Sequence, residues 1–532
     1  MWEGFDEWAH YAVVQGIATD GRLLPDRTER VSREVEASLE LAPWRPGDKD
    51  AAAQHSAYWR LSDIERARRD QQLRATPLEW AHEPAINGRR SYEAQQAPLY
   101  YWLFAPLYRL TDTLPFLSRV WLLRLASLTV ASTVIPIGFL VARRVLEADL
   151  PALGVVALLA AMPQLMIVVG RISNDRLAIP MGALLLLLML RWKESPPSLS
   201  RSVSLGVALG LALLTKSYFL AIIPPVLVSI VLWAKTKGAR RQAIILLACA
   251  VAISAWWYTR NWMLTQSLSG ETIAIAAAAT GSPFLDAVFR VNWIRAIDFA
   301  LLSQIWLGNW SFLAVRSWMY HFFYILAAIS FAGLVLRFVR LKRPQPPAGN
   351  LFLLAGVTTS FLAALGYHAV RSFQTTGFSG TFGHYMFPAI VAEAILFSVG
   401  LETISPAFLV SAVMPFVTIC FSALEFFGLH FVAIAYYSGF TGSPPNGGVP
   451  ALQLSSLENG GFQLLLARLA QNKPAFLSPT VLAAIWGLFL AATLCVIALI
   501  VGIAISRRLA SLSTPPQAQG DRSNAATAGD CP

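Results

Sequence analysis

Long apolar runs separated by short polar segments make up most of the chain from residue 117 to residue 505. A helix needs ~20 apolar residues to cross a bilayer, and several of these runs are shorter, which predicts helices that begin inside water-filled cavities. The pattern predicts an all-α polytopic membrane protein with about eleven spans, at 117–142, 152–169, 177–191, 203–215, 218–234, 242–258, 321–338, 351–369, 386–401, 406–427 and 478–505.

The first 97 residues form the one long polar block, which is rich in charge, Trp and Tyr and contains no run able to span a bilayer. Apolar residues recur at helical spacing at 5–17 and at 58–73. We expect these two helices to lie at the membrane surface. The block is therefore predicted to be a large first loop that carries juxtamembrane helices.

The same pattern divides the rest of the chain. Residues 98–436 form a transmembrane bundle with its loops, and residues 478–505 form the last transmembrane helix. Residues 437–477 form an external loop, which is a candidate lid or a simple connector. The tail, residues 506–532, is rich in Ser, Ala, Gln and Pro and is predicted to be disordered.

Composition agrees with this class, because 55% of the residues are hydrophobic, 14% are charged and the mean hydropathy is +0.52. Soluble domains carry nearer a quarter of charged residues. The net charge of +11 does not indicate nucleic acid, since Lys and Arg cluster between apolar runs. The four cysteines have neither paired nor metal-like spacing.

Basic clusters set the orientation, because cytoplasmic loops are enriched in Lys and Arg. They fall on one side of the predicted bundle, which makes that side the cytoplasm and places 1–97 and 259–320 outside. An external block of this size is normally preceded by a membrane helix. We therefore expect a first helix upstream of Met1, the alternative being a block that is translocated without a leader.

The start of the chain carries candidate proton-transfer chemistry. On a helix, Asp6 and His10 stand four apart and Glu7 and His10 three apart, so two carboxylates and an imidazole would share one face. Asp6 also suits the first position of a helix, where its side chain can accept from free amides. An N-cap followed by a solvated face is the simpler interpretation of the same residues.

Further polar residues stand at the ends of predicted spans on the external side. Ionisable groups that converge at such positions indicate function, although each has a plainer explanation, such as an arginine that reaches the headgroups or an aspartate that caps a helix. The candidates for substrate binding are Glu93, Gln95, Arg171, Asn174, Asp175, Lys216, Arg260, Asn261, His384 and Tyr385.

In their order along the chain, these motifs resemble the GT-C class of polytopic glycosyltransferases, with bacterial relatives of the protein O-mannosyltransferases and aminoarabinose transferases as the most similar members. The resemblance covers about residues 5 to 385. It is carried by Asp6-Glu7, Gln96-Ala97-Pro98-Leu99-Tyr100-Tyr101, Asn174-Asp175-Arg176-Leu177, Lys216 after Leu-Leu-Thr, and Trp256-Trp257-Tyr258-Thr259-Arg260-Asn261-Trp262.

The resemblance implies a bacterial plasma-membrane enzyme that moves a sugar from a polyprenyl-phosphate carrier to a glycan, lipid or protein acceptor on the external, periplasmic side, with inversion. Asp6 would be the general base, with Glu7 or His10 tuning it. Lys216, Arg260 and Arg171, or a divalent metal, would neutralise the departing phosphate.

Two positions depart from the family pattern, since Ala97 stands where a second Pro is common and His384 where an Arg is expected. These departures affect donor recognition rather than the fold. Two other functions stay open at this point. One is a transporter or flippase for a lipid-linked or anionic substrate, and the other is a relative that binds polyprenyl phosphate without catalysis.

Overall fold

A computed structural model describes residues 1–24, 28–44, 54–194, 198–339, 347–442 and 449–513. Within these ranges the regular elements are helices, and β-pairing is limited to isolated bridges such as the one between Arg30 and Arg90. The α-helices are α1 (Glu7–Asp20), α2 (Arg33–Leu41), α3 (His55–Tyr58), α4 (Asp63–Arg74), α5 (Leu99–Leu110), α6 (Phe116–Ser132), α7 (Val134–Leu146), α8 (Asp149–Ala161), α9 (Pro163–Val169), α10 (Asp175–Glu194), α11 (Leu199–Leu213), α12 (Ile223–Trp233), α13 (Lys237–Thr265), α14 (Thr272–Ala279), α15 (Phe284–Arg290), α16 (Trp293–Ile305), α17 (Ser317–Val339), α18 (Ala348–Thr376), α19 (Ile390–Ile404), α20 (Val410–Phe426), α21 (Ile434–Tyr437), α22 (Gly461–Ala470) and α23 (Pro479–Ser513).

Among the described residues, seven helices are long and apolar enough to cross a membrane: Phe116–Leu146, Lys237–Thr265, Ser317–Val339, Ala348–Thr376, Gly383–Ile404, Val410–Tyr437 and Pro479–Ser506. An eighth span results if α8 and α9 are counted together across their 63° bend. The predicted number of about eleven is not confirmed. The other predicted spans fall on α10, which is charged at both ends, and on the shorter helices Leu199–Leu213 and Ser217–Trp233.

Helix α10 lies at the centre of the bundle, and most of its residues are buried. It packs against α6, α7, α11 and a 3₁₀ segment, Gly383–Ala389. A glycine is required at position 182, because a Cβ atom there would lie 1.8 Å from the carbonyl oxygen of Pro388. This close approach holds the 3₁₀ segment, which carries His384 and Tyr385, against the first half of α10.

The polar block is joined to the bundle by buried polar contacts. Helix α1 packs along α5, and a Glu34 carboxylate on α2 receives a hydrogen bond from Arg119 on α6 at 2.5 Å. The side chains of both residues are almost fully buried. Breaking such a pair would leave a buried charge without a partner, which is costly. The contact therefore holds the polar block against the end of the bundle.

Several boundaries differ from the predicted ones. Most residues of helix α1 are buried within the protein, where the helix packs along α5. The last helix continues to Ser513, past the predicted end at 505, and the remainder of the predicted tail, 514–532, lies outside the described residues. In the segment 437–477, Asn472 donates its amide N–H to Asp70 on α4, so this part of the segment rests on the polar block.

Candidate active site

A cavity of about 310 Å³ lies where the polar block meets the bundle. It is lined by side chains from segments far apart in sequence, and most of them are polar or aromatic. The lining residues are Phe5, Asp6, His10, Tyr92, Glu93, Gln95, Gln96, Arg171, Asp175, Lys216, Tyr218, Glu271, His368, His384 and Tyr385.

The backbone at Asp6 directs its carboxylate into the cavity. Asp6 has φ 57° and ψ 14°, a left-handed conformation that Asp tolerates better than most residues with a side chain. Its side chain does not cap α1, contrary to the expectation from the sequence, and instead accepts a hydrogen bond from the Tyr92 hydroxyl. Gly4 makes the preceding turn possible, because a Cβ atom there would lie 2.6 Å from Cβ of Arg171.

Glu7 does not share the surroundings of Asp6 and His10, although all three were expected on one face. The Glu7 carboxylate points away from the cavity and binds Arg124 through two hydrogen bonds, of 2.8 and 2.7 Å. It also accepts from the Ile172 amide at 2.9 Å. Burial favours the neutral acid, but the Arg124 charge and these hydrogen bonds outweigh it and lower the pKa of Glu7.

His10 does face the cavity. Its Nδ1 lies 2.8 Å from the Tyr101 hydroxyl and its Nε2 lies 4.0 Å from Oε2 of Glu93. Burial and the positive charge of Lys216 lower the pKa of His10 to about 3. The imidazole is therefore neutral at physiological pH, with one ring nitrogen as a hydrogen-bond donor and the other as an acceptor.

Glu93 is a buried carboxyl group whose Oε2 atom has no hydrogen-bond partner among the described residues. Burial, and then the negative charge of Asp6, raise the pKa of Glu93 to about 8. At neutral pH Glu93 thus mostly keeps its proton. The cavity pairs an acid that stays protonated with the carboxylate of Asp6, which is the usual way to divide acid and base roles between two carboxyl groups.

Two buried cations lie on the opposite wall of the cavity. Lys216 follows the end of α11 and donates to Oδ1 of Asp175 at 2.5 Å. Arg171, in the turn after α9, reaches Oδ2 of the same carboxylate at 3.3 Å. Its Nε and Nη1 atoms are buried and have no partner among the described residues. Buried donors without an acceptor are costly, so these two atoms call for a further partner.

Aromatic rings complete the lining beside these cations. The Tyr218 and Tyr385 rings lie 5.0 Å apart, and Lys216 Nζ lies 4.4 Å from the centre of the Tyr218 ring. The His384 ring stacks on Phe5 at 5.6 Å. Rings at these distances form a partly apolar wall on which the face of a sugar could rest.

Nine of the thirteen predicted site residues line this cavity, and Glu7, Asn174, Arg260 and Asn261 do not. Asn174 bonds to Gln96 and to the Thr215 carbonyl, and Asn261 bonds to the carbonyls of Leu268 and Ser269. The guanidinium of Arg260 lies over the Trp257 ring at 5.2 Å. These residues hold the segments around the cavity rather than reaching into it.

Glu271 and His368 also line the cavity, and neither was predicted from the sequence. Glu271 accepts a hydrogen bond from the Ser217 hydroxyl, and burial raises the pKa of Glu271. His368 lies in the apolar helix α18, with Nδ1 3.0 Å from the Thr381 hydroxyl. An ionisable residue within an apolar span was a usable signal for His368, whereas Glu271 stands alone in a polar loop.

No three His, Cys, Asp or Glu side chains in the described part of the chain are grouped so that they could hold a metal ion. The lysine and arginine side chains that line this cavity are Lys216 and Arg171. The carboxylates that line it are spread among the basic groups and do not form a ligand cluster.

Fold and site together define a multi-pass helical membrane protein with a buried polar cavity at one end of its bundle. The chain belongs to the family described as "Predicted membrane protein (DUF2142)", whose model matches residues 1–392. No curated protein matches it in sequence.

Two solved structures show a distant likeness. The structure of ArnT from Cupriavidus metallidurans bound to undecaprenyl phosphate is 16% identical and has a TM-score of 0.41, with 95% of this chain and 76% of that chain covered. The apo structure of the same protein is 17% identical with a TM-score of 0.37, with coverages of 89% and 75%. Neither likeness reaches a TM-score of 0.5, so neither carries information about the chemistry of this site.

Proposed function

We propose that the protein is a GT-C-type glycosyltransferase that moves a sugar from a polyprenyl-phosphate-linked donor to an acceptor hydroxyl. The observation that carries the proposal is the position of Asp6 and Arg171 in one cavity, where Nε and Nη1 of the buried arginine have no partner among the described residues. The cavity lies at the end of the bundle that meets the polar block, and we place the headgroup of a lipid-linked donor there.

In the proposed reaction the Asp6 carboxylate takes the proton of the acceptor hydroxyl as its oxygen attacks the anomeric carbon. The bond from that carbon to the phosphate oxygen breaks at the same time, and the phosphate leaves with the electron pair. A single displacement of this kind inverts the configuration. General-base assistance typically contributes ~10²–10⁴-fold to the rate.

Arg171 and Lys216 are the groups that would neutralise the leaving phosphate, because donors aimed at a developing charge act most strongly where water is excluded. Lys216 is already paired with Asp175, which limits its charge toward a ligand. Arg171 makes longer contacts, to Oδ2 of Asp175 at 3.3 Å and to Nε2 of His384 at 3.4 Å, and its Nε and Nη1 atoms have no partner in the part of the chain that the structure describes. We therefore assign the phosphate primarily to Arg171.

His10 and Glu93 are proposed to orient the acceptor, and Glu7 to position Asp6 by fixing the start of α1 to Arg124. Tyr218, Tyr385 and His384 would pack against the sugar. We further propose that the cavity faces the periplasmic side of a bacterial plasma membrane, because the basic clusters of the sequence lie at the opposite ends of the spans.

The test is to reconstitute the purified protein in liposomes with polyprenyl-phosphate-linked sugars and to measure the release of free polyprenyl phosphate. The proposal expects donor cleavage that depends on the protein and on an acceptor. Movement of intact donor between leaflets would indicate a transporter instead. Tight donor binding without cleavage or movement would indicate a non-catalytic lipid-binding protein.

A further inference from the structure

Helices α15 and α16 expose a row of large apolar side chains next to the site. Phe289 and Ile294 are 87% and 84% exposed, the highest values among the large apolar residues of these two helices. We call the row the outer apolar face, and it consists of Leu285, Phe289, Trp293, Ile294 and Ile297. A soluble surface rarely carries so many adjacent exposed large apolar residues, so this face has an occupant.

The opposite side of these helices is seated on the bundle. Ala287, Val291 and Ala296 are buried in a small cluster with Ala369 and Val370 of α18. Both helices therefore lie across the site-side end of a membrane span, and their outer apolar face points away from it. The contact fixes their height relative to the bilayer.

That height corresponds to the lipid headgroups. Residue 369 stands about 32 Å along α18 from Ala348, at 1.5 Å per residue, and the hydrocarbon core is about 30 Å thick. A basic segment, 340–343, precedes α18 at its other end, as expected at the opposite membrane surface. Ala369 and the helices on it thus lie at the boundary between hydrocarbon and headgroups on the site side.

The surroundings of the outer apolar face suit lipid as well. The spans against which α15 and α16 pack also expose apolar side chains, since Trp318 at the start of α17 is 65% exposed and Leu362 on α18 is 52% exposed. Arg290 and Arg295 flank the face, with their guanidinium groups over the rings of Phe373 and Phe378. Arginines at this level can bind headgroup phosphates.

We propose that α15 and α16 lie in the membrane interface as a monotopic helix pair, with the outer apolar face inserted into the lipid leaflet on the side of the cavity. Interfacial helices bury such a face by about 5–10 Å at the headgroup–acyl boundary. The sequence pattern had placed all of 259–320 outside the membrane, and the proposal moves this part of it into the leaflet.

The insertion also bears on the cavity. Ser303 on α16 accepts a hydrogen bond from the Gly383 amide at 2.7 Å. A Cβ atom at Gly383 would lie 2.0 Å from the carbonyl oxygen of Ala300. The helix seated in the leaflet thus supports the segment that carries His384 and Tyr385, which sets the cavity at a fixed depth relative to the lipid headgroups.

The test uses the full chain with its four cysteines replaced by serine, reconstituted in liposomes. Single cysteines at Phe289→Cys or Ile294→Cys carry an environment-sensitive fluorophore, and Ile86→Cys is the matched control, because Ile86 is 88% exposed on the polar block. Two quenchers are compared, a spin-labelled phospholipid and aqueous iodide. Leu285→Cys provides a further position on α15 should a label at 289 prevent reconstitution.

The proposal expects labels at 289 and 294 to be quenched by the spin-labelled lipid and to be several-fold less accessible to iodide than the label at 86. Iodide access equal to that at 86 would overturn it. Protection from both quenchers would also overturn it, because a protein partner rather than lipid would then cover the face. None of these outcomes depends on glycosyl transfer.

Discussion

Lys216 and Asp175 face each other in the cavity, with Nζ 2.5 Å from Oδ1 and only 6% and 7% of their side chains exposed. The lysine comes from the break after α11 and the aspartate from the first turn of α10. Two charges buried at this distance are stable only as a pair, because either one alone would lack compensation. The pair therefore joins two helices of the bundle at the wall of the candidate active site.

Lys216→Met is expected to destabilise the protein by about 3–5 kcal/mol, the usual cost of breaking a buried ion pair, and to weaken donor use, because one of the two cations that line the cavity is lost. The double variant Lys216→Met/Asp175→Asn should recover much of the stability without recovering donor use. Thermal unfolding in detergent and donor binding measure the two effects separately. Donor use restored in the double variant would show that the lysine acts only in folding.

The pKa of Glu93 predicts how stability depends on pH. The folded protein holds the Glu93 proton up to about pH 8, whereas the unfolded chain releases it near the ordinary value of 4.5. Stability contributed by this group is complete below pH 4.5 and is lost as the pH rises to about 8. Glu93→Gln removes the titrating group, so the variant should not lose this stability as the pH rises.

The melting temperature of Glu93→Gln should therefore rise relative to the unchanged protein between pH 5 and pH 8, and the difference should level off above pH 8. The measurement is a series of thermal unfolding curves in detergent across this range. A difference that stays constant with pH would mean that Glu93 is ionised in the folded protein.

Glu7 is expected to act on structure more than on turnover. Glu7→Gln leaves Arg124 without its carboxylate partner, which should lower the melting temperature clearly, while the folded fraction keeps its donor KM. Glu65→Gln is a suitable control, since it also removes an arginine-paired carboxylate, but on the exposed helix α4. A normal melting temperature combined with lost turnover would instead assign the base to Glu7.

The contrast between Asp6 and Glu7 shows what the sequence could and could not predict. Helical spacing placed both near His10, but the left-handed backbone at Asp6 and a partner 117 residues away, Arg124, turn the two carboxylates apart. Neither cause is local to the motif. Tertiary contacts of this kind decide which of two adjacent acids reaches a site.

The class of the fold was predictable for a simple reason. Apolar runs must be helical in a bilayer because their backbone groups need internal partners, so composition and spacing suffice. The number of spans was harder to predict. Helix α10 carries charged residues at its ends and helix α11 is short, and both are buried by neighbouring helices. Glu271 could not be predicted as a site residue, because it reaches Ser217 only through the tertiary packing of its loop.

The central claim is tested most directly by turnover of the Asp6→Asn variant, with Asp20→Asn as control. Both changes remove one carboxylate charge. Asp6 directly precedes α1 at the cavity, whereas Asp20 is the exposed last residue of the same helix. The account predicts that polyprenyl phosphate release by Asp6→Asn falls by about a hundredfold or more, the scale of general-base catalysis, while Asp20→Asn retains it. Release by Asp6→Asn at the rate of the unchanged protein would contradict the account.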